Sequence, residues 1–293
     1  MKTDVVMPTY NSNKWYFKYV LRRLRNEFNI NKFIVIDKFS NDGTDKVIRE
    51  YFPDAVIIKT HVNLAYARYI GIKLVETEWF LFNDDDAIVL PGASRIVERF
   101  MRIKKVGALE LGTFGLNSTN KVLINKVYVD KAPTLLFKRK TNNLTLNEVV
   151  KNGLIYLTRG FTFSTFIRTD AVKDYVPNPY MGAFEDYVIT QHIINRGYAW
   201  ILVDEPLVLH VGWYTNNYLQ GIKVQIMKAL WHGSSVKYAN IPRKLLFIHS
   251  ISRLISSTRE IIANKDISSV YYLTWHLFLI PSMLQNKYVE INR

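Results

Sequence analysis

The 293-residue sequence has no cysteine, which excludes a disulfide framework, a thiolate metal site and a cysteine nucleophile, and fits a reducing compartment. Long apolar runs are missing as well. The best candidate, Val270 to Leu284, is 15 residues with His276 and Pro281 inside it, against roughly 20 for a membrane-spanning helix. Met1 to Tyr10 runs directly into a strand-like segment instead of a basic stretch and an apolar core, so neither a cleavable signal nor any start other than a cytoplasmic one is expected. Internal repeats and low-complexity linkers are absent too. Acidic residues are few, 25 against 39 Lys and Arg, for a formal charge of +14. An anionic partner is expected: nucleic acid, a phosphorylated substrate or acidic lipid. From Val211 onward ten Lys and Arg face three Asp and Glu, a net of +7. Half the excess therefore lies in the last 83 residues.

What is present is a chain with 48% hydrophobic residues, enough for a sizeable core. The N-terminal half alternates strand-like and helix-like segments. Thr3 to Met7, Phe33 to Ile36, Ala55 to Ile58 and Trp79 to Phe82 read as strands, and Lys14 to Phe28, Thr44 to Tyr51 and Ala65 to Val75 as helices. Such alternation predicts βαβ units around a mostly parallel sheet, with ligands outside the carboxyl ends of the strands. A helix over Gly92 to Lys104 and a strand over Val106 to Leu111 follow. Strands are expected in Lys121 to Val129, Thr134 to Lys138, Phe161 to Ile167 and Trp200 to Val203, and a helix over Asp186 to Arg196.

The stretch around which these segments are organised is Glu78 to Gly92, where an apolar run stops at three consecutive carboxylates, Asp84, Asp85 and Asp86. Like charges about 4 Å apart repel by roughly 4 kcal/mol at an effective dielectric near 20. The triplet is either fully solvated or holds a cation, and oxygen-only ligation suits Mg²⁺ or Mn²⁺. In an extended segment Asp84 and Asp86 would share a face and Asp85 would point elsewhere.

Six segments occur in one order: PTYN at Pro8 to Asn11, IDKFSNDGT at Ile36 to Thr44, NLAYARYIGI at Asn63 to Ile72, NDDD at Asn83 to Asp86, FED at Phe184 to Asp186, and His210. Together they resemble the family 2 glycosyltransferases of GT-A fold, over roughly residues 3 to 212. Lys38 and Phe39 depart from the pattern, standing where a second aspartate and a glycine are common. The resemblance implies an α/β catalytic domain, 1–212, with a central mixed, Rossmann-like sheet flanked by helices. Its nucleotide-sugar half would be about 1–111 and its acceptor half about 112–212, followed by a helical C-terminal extension, 213–293. It further implies a nucleoside-diphosphate sugar donor, UDP-linked, contacted by Pro8, Thr9, Tyr10, Asn11, Asp37, Asn63, Arg68, Asp84 and Asp85. A divalent metal, Mn²⁺ or Mg²⁺, would be held by Asp84, Asp86 and His210. Asp186 would be the general base in transfer with inversion, its place in a helix's first turn favouring the ionised form, and Glu185 would orient a glycan or lipid-linked acceptor. Plainer roles stand beside these: an ordinary turn at residues 9 to 11, a helix cap at Asp186, a structural histidine at 210. Arg68 could reach a phosphate, brace Asp37 or simply be solvated.

Outside the resemblance, KLLFIHSISRLI (Lys244 to Ile255) and VYYLTWHLFLIPSML (Val270 to Leu284) are apolar and aromatic with basic neighbours. They fit helices packed on the core, a homodimer interface, or peripheral attachment to an anionic membrane surface on the cytoplasmic face. Two rival functions are a metal-dependent nucleotidyltransferase and a basic nucleic-acid-binding module. Pro8 to Asn13 lacks the Gly-rich phosphate loop natural to the first, and a buried acidic triplet is opposed to a phosphate backbone in the second. Nucleic acid is therefore not an expected partner.

Overall fold

In a computed structural model of the chain, residues 1–116, 122–124, 154–157, 159–211, 218–264 and 267–284 are described. The expected strand at 134–138 lies outside them. The described residues fall into two compact units, one containing residues 1–116, 122–124, 154–157, 159–176 and 186–211, the other residues 177–185, 218–264 and 267–284.

The first unit is built on a ten-stranded mixed sheet. Its strands are β1 (Lys2–Thr9), β2 (Asn29–Asp37), β3 (Val56–Lys59), β4 (Trp79–Asn83), β5 (Ala87–Val89), β6 (Val106–Leu116), β7 (Val122–Ile124), β8 (Leu154–Leu157), β9 (Ser164–Arg168) and β10 (Ala199–His210). The order is β3-β2-β1-β4-β9-β6-β10-β5, with β7 on β6 and β8 on β10. β3, β2, β1 and β4 are parallel, the expected βαβ half. β9 then enters antiparallel between β4 and β6. In this way residues distant in sequence join the carboxyl end of β4.

The helices of this half are α1 (Phe17–Glu27), α2 (Thr44–Tyr51), α3 (Leu64–Leu74) and α4 (Ala93–Met101); α5 (Thr169–Val172) and α6 (Glu185–Asn195) come later. Alternation along each strand divides the core in two. Val5, Met7, Trp79 and Leu81 face one cluster with Phe17, Leu21, Val47 and Val97, while Val6, Phe80 and Phe82 face another with Ala67, Ile72, Ile189 and Ile193. α1 has no side-chain cap hydrogen bond, so its buried Phe17, Val20, Leu21 and Leu24 fix it, at roughly 1.5–3 kcal/mol for each large side chain. α3 approaches β1 so closely that a Cβ on Gly71 would stand 2.2 Å from Val6 Cγ1. Any larger residue there would push α3 away from the sheet, and Arg68 with it.

One polar anchor lies within this core. Asp4 of β1 is fully buried, and its carboxylate accepts from Asn31 Nδ2 (2.9 Å) and the backbone N–H groups of Lys32 (3.0 Å), Glu76 (2.7 Å) and Thr77 (3.0 Å). Burial alone would raise its pKa, but the donors outweigh burial and hold it below the usual aspartate value.

The second unit holds α7 (Tyr218–Ser235), α8 (Arg243–Asn264) and α9 (Ile267–Ser282). α9 packs against both others. Its approach to α7 needs Gly233, where a Cβ would meet Ser282 Oγ at 1.7 Å, and Ser282 Oγ donates to Ala229 O at 3.0 Å. Residues 177–185 join this unit, with Ala183 N donating to Ser235 Oγ (3.1 Å) and Phe184 set edge-on to His232 (5.0 Å). Two helices match the expected apolar runs; α7 falls within the expected helical extension, though no run in the sequence marked it. Among the described residues no helix is long and apolar enough to cross a membrane.

Candidate active site

The site lies at the carboxyl ends of β1, β2 and β4. Thr9 pairs in register with Asp37, and Thr9 Oγ1 donates to Asp37 Oδ1 at 2.9 Å. Ser40 adds its backbone N–H to Oδ2 (2.9 Å) and its hydroxyl to Oδ1 (2.5 Å). Asp37 is therefore almost wholly buried and fixed by its own chain. The loops after β1 and β2 are zipped together. Asn11 N donates to Ser40 Oγ (2.8 Å), Asn41 N to Asn11 Oδ1 (3.0 Å), Ser12 N to Thr44 Oγ1 (2.8 Å) and Asn13 N to Asp42 Oδ2 (2.9 Å). Pro8 and Thr9 close β1, Tyr10 is half-buried behind them, and Asn11 takes a left-handed backbone, φ 49°.

Phe39 is left-handed too, φ 53°, a strained conformation for a bulky residue that glycine adopts freely. Phe39 is 47% exposed, and its ring stacks on His61 at 4.2 Å. The departure from the family pattern thus falls on a position whose backbone suits glycine.

The three carboxylates do not continue the strand. Ala87 N donates to Asp84 O (3.2 Å), closing a turn over 84–87, so the alternation of an extended segment does not apply and each carboxylate meets a different partner. Asp84 Oδ1 accepts from Arg68 Nη2 at 2.9 Å. Asp85 accepts from Ser12 Oγ. Asp86 Oδ1 lies 3.2 Å from His210 Nε2. Burial, followed by the charges of Asp86 and Asp84, pushes Asp85 up to about 7 against the lowering effect of Ser12 and Lys14. The repulsion foreseen from the sequence is relieved by a guanidinium at Asp84 and a raised proton affinity at Asp85, with the His210 ring beside Asp86.

Arg68 is neither solvated nor set on Asp37: it is 2% exposed, on Asp84, with its guanidinium carbon 5.1 Å from the Phe82 ring centre. Asn63 caps α3, its side-chain oxygen accepting from Tyr66 N at 3.0 Å. Asp186 lies in the first turn of α6, with Thr162 Oγ1 and Thr162 N (3.2 Å) both donating to its Oδ1. Burial raises its pKa above the aspartate value, opposed mainly by Arg68 and the Thr162 hydrogen bond, so the ionised form is less favoured than its place in the helix's first turn suggested. Glu185 is buried in the second unit, next to Phe184, which has φ 66°. The partners missed by sequence reading are Ser12, Thr162, Phe163 and Glu110. Only Glu110 carried a signal, a single acid within the apolar strand VGALELG.

Among the described residues no three acidic or histidine side chains converge as a ready-made metal site. Asp86 and His210 nevertheless fit the group in question. Adjacent ligands on an octahedral cation at about 2.1 Å stand about 3 Å apart, close to the 3.2 Å between these two donors, and a Mg²⁺-like ion commonly takes its remaining positions from phosphate and water.

Residues 4–153 match the glycosyl transferase family 2 model, half of the chain. No curated protein matches the sequence significantly. Among solved structures, S. aureus TarS is similar at TM-score 0.54 and 18% identity, over 77% of this chain and 39% of its own. TarS 1-349 in complex with UDP-GlcNAc gives 0.53 and 16%, over 95% and 91%. The mannosyltransferase PcManGT from Pyrobaculum calidifontis, in complex with GDP-Man and Mn²⁺, gives 0.57 and 13%, over 97% and 86%. The chain thus spans well under half the length of full TarS, and identities this low speak for fold alone. The mixed sheet with helices on both faces is that of the GT-A glycosyltransferases. The chain belongs to glycosyl transferase family 2.

Proposed function

We propose that the chain transfers a sugar from a nucleoside-diphosphate sugar, UDP-linked, to a glycan or lipid-linked acceptor with inversion at the anomeric carbon. The observation that carries this reading is Arg68, which bonds Asp84 at 2.9 Å and is also the leading charge acting on Asp186. A single cation thereby links the donor end of the site to the candidate base. Pro8, Thr9, Tyr10, Asn11 and Asp37 form the wall for base and ribose, with Asn63 holding α3 behind it, and Asp84 and Asp85 line the approach to the diphosphate. Asp86 and His210 would hold Mn²⁺ or Mg²⁺, with Asp84 a further ligand or a ribose contact. A bound cation supplies neutralisation of the leaving diphosphate. Asp186 takes the acceptor hydroxyl proton as that oxygen attacks, its raised pKa making it a better base than an exposed aspartate. Glu185 orients the acceptor.

Attachment to an anionic membrane surface is proposed for the second unit. It rests on exposed Leu245, Ile248, Ile251, Ile255 and Ile262 along α8, with Arg243, Lys244, Arg253 and Arg259 on the same helix. Thermal shift with UDP and Mn²⁺ together, against either alone, tests the nucleotide site. Marked stabilisation by the pair alone is expected, and identical melting in all conditions contradicts the reading.

A further inference from the structure

Residues 160–163, leading into β9, touch the acidic turn at Asp84, His210 and the candidate base Asp186. Gly160 N donates to Thr190 Oγ1 of α6 (3.0 Å), Phe161 N to Glu110 Oε2 (2.8 Å) and Thr162 to Asp186 through both N–H and hydroxyl. Phe163 O accepts from Asp84 N (2.7 Å), and its ring stacks on His210 at 5.2 Å. The segment precedes the β9 ladder, so Glu110 supplies what pairing would otherwise supply. Glu110 is 3% exposed in β6, and the same Oε2 accepts from Trp200 Nε1 at 2.9 Å. The Trp200 ring closes over Gly160, where a Cβ would stand 1.9 Å from it. One carboxyl oxygen thus ties together β6, β10 and the residue next to Thr162.

We infer that Glu110 is a positioning residue for the transfer reaction, acting through Phe161 and Thr162 to set the Asp186 carboxylate. A buried carboxyl is a costly way to fill a strand position unless its hydrogen bonds are needed. Burial, with a smaller contribution from the charge of Asp186, raises Glu110 to about 8 against the lowering effect of the Phe161 and Trp200 donors. At neutral pH it is therefore largely uncharged and can hold Phe161 without placing a second negative charge beside Asp186. A neutral amide of the same shape should serve equally well.

The inference rests on Asp186 being the base, and the test separates the two. Steady-state release of nucleoside diphosphate is measured for the full chain and for Glu110→Gln, Glu110→Ala, Thr162→Val and the Glu110→Ala/Thr162→Val pair, with Asp186→Asn as control. Glu110→Ala should lower kcat by about 10- to 100-fold with donor KM nearly unchanged, since small misplacements of a catalytic group cost that much. Glu110→Gln should stay within about threefold of the parent, and the pair should be no worse than its worse member. Where alanine does not fold, Glu110→Asp withdraws the acceptor by one methylene and should lower kcat in the same way. Parental kcat in Glu110→Ala or Glu110→Asp, failure of Gln to rescue, or multiplying effects in the pair overturns the inference. If that happens while Asp186→Asn is inactive, the base assignment stands and only Glu110 is wrong; an active Asp186→Asn removes both.

Discussion

Arg68 Nη2 donates to Asp84 Oδ1 at 2.9 Å from a side chain that is itself 2% exposed. A buried guanidinium without its carboxylate, or the reverse, is far less stable than the pair. Arg68→Ala is expected to destabilise the fold by roughly 2–3 kcal/mol and to raise the proton affinity of Asp186 further, because Arg68 is the main charge opposing burial there. Chemical denaturation and a pH–rate profile check both effects. Unchanged stability and an unchanged acid limb would remove Arg68 from the account.

The acidic turn should divide by partner. Asp86→Ala is expected to abolish metal-dependent donor turnover while leaving the fold intact, since Asp86 faces His210. Asp85→Ala should be milder, because Asp85 is turned toward Ser12. Activity assayed across a Mn²⁺ titration, with and without EDTA, decides it. Full activity in Asp86→Ala under either condition is the contrary outcome.

Two buried acids should give stability opposite dependences on pH. Asp4 has a lowered pKa, so its contribution is complete above the unfolded value near 3.9 and is lost as pH falls through the folded one. Glu110 is raised to about 8, so its contribution is complete below about 4.3 and is lost as pH rises through about 8. Glu110→Gln should flatten the loss that sets in above about pH 4.3 and is complete near 8, and Asp4→Asn the acid loss at the expense of overall stability. Denaturation midpoints from pH 3 to 9 read both, and curves parallel to the parent's would contradict them.

The tail should bind anionic vesicles at low salt and release as ionic strength rises, with a screening length of about 10 Å at 0.1 M. Removing residues 241–293 should abolish sedimentation with vesicles and leave donor hydrolysis largely unchanged. A full-length protein that ignores such vesicles, together with a truncated one that unfolds, would assign these helices to packing or to a dimer.

How far the sequence led differs between the two halves of the sheet. β1, β2 and β4 were legible because each carries a short buried apolar run closed by turn residues; β3, an edge strand with Val56 and Lys59 exposed, was placed one residue early, and Thr44–Tyr51 appears with the expected bounds. β5 and β8, three and four residues long, were missed: each is held by pairing with the distant β10, which no local period records. β10 runs on to His210, past the Trp200 to Val203 stretch, because pairing with β6 and β5 carries polar residues that alternation alone would exclude. The candidate site residues stood at strand ends or helix starts and could be proposed from the sequence; their partners could not. Thr162 reaches Asp186 across 24 positions and Ser12 reaches Asp85 across 73, and only the insertion of β9 and the folding back of the first loop bring them together.

The most direct test of the proposed chemistry is release of nucleoside diphosphate from a panel of UDP- and GDP-sugars with Mn²⁺, for the parent and Asp186→Asn, alongside donor binding. Turnover with a UDP-sugar is expected, together with a fall of roughly 10² to 10⁴ in Asp186→Asn at nearly unchanged donor affinity. Near-parental turnover in Asp186→Asn, or equal loss of donor binding and turnover, would contradict a base at Asp186.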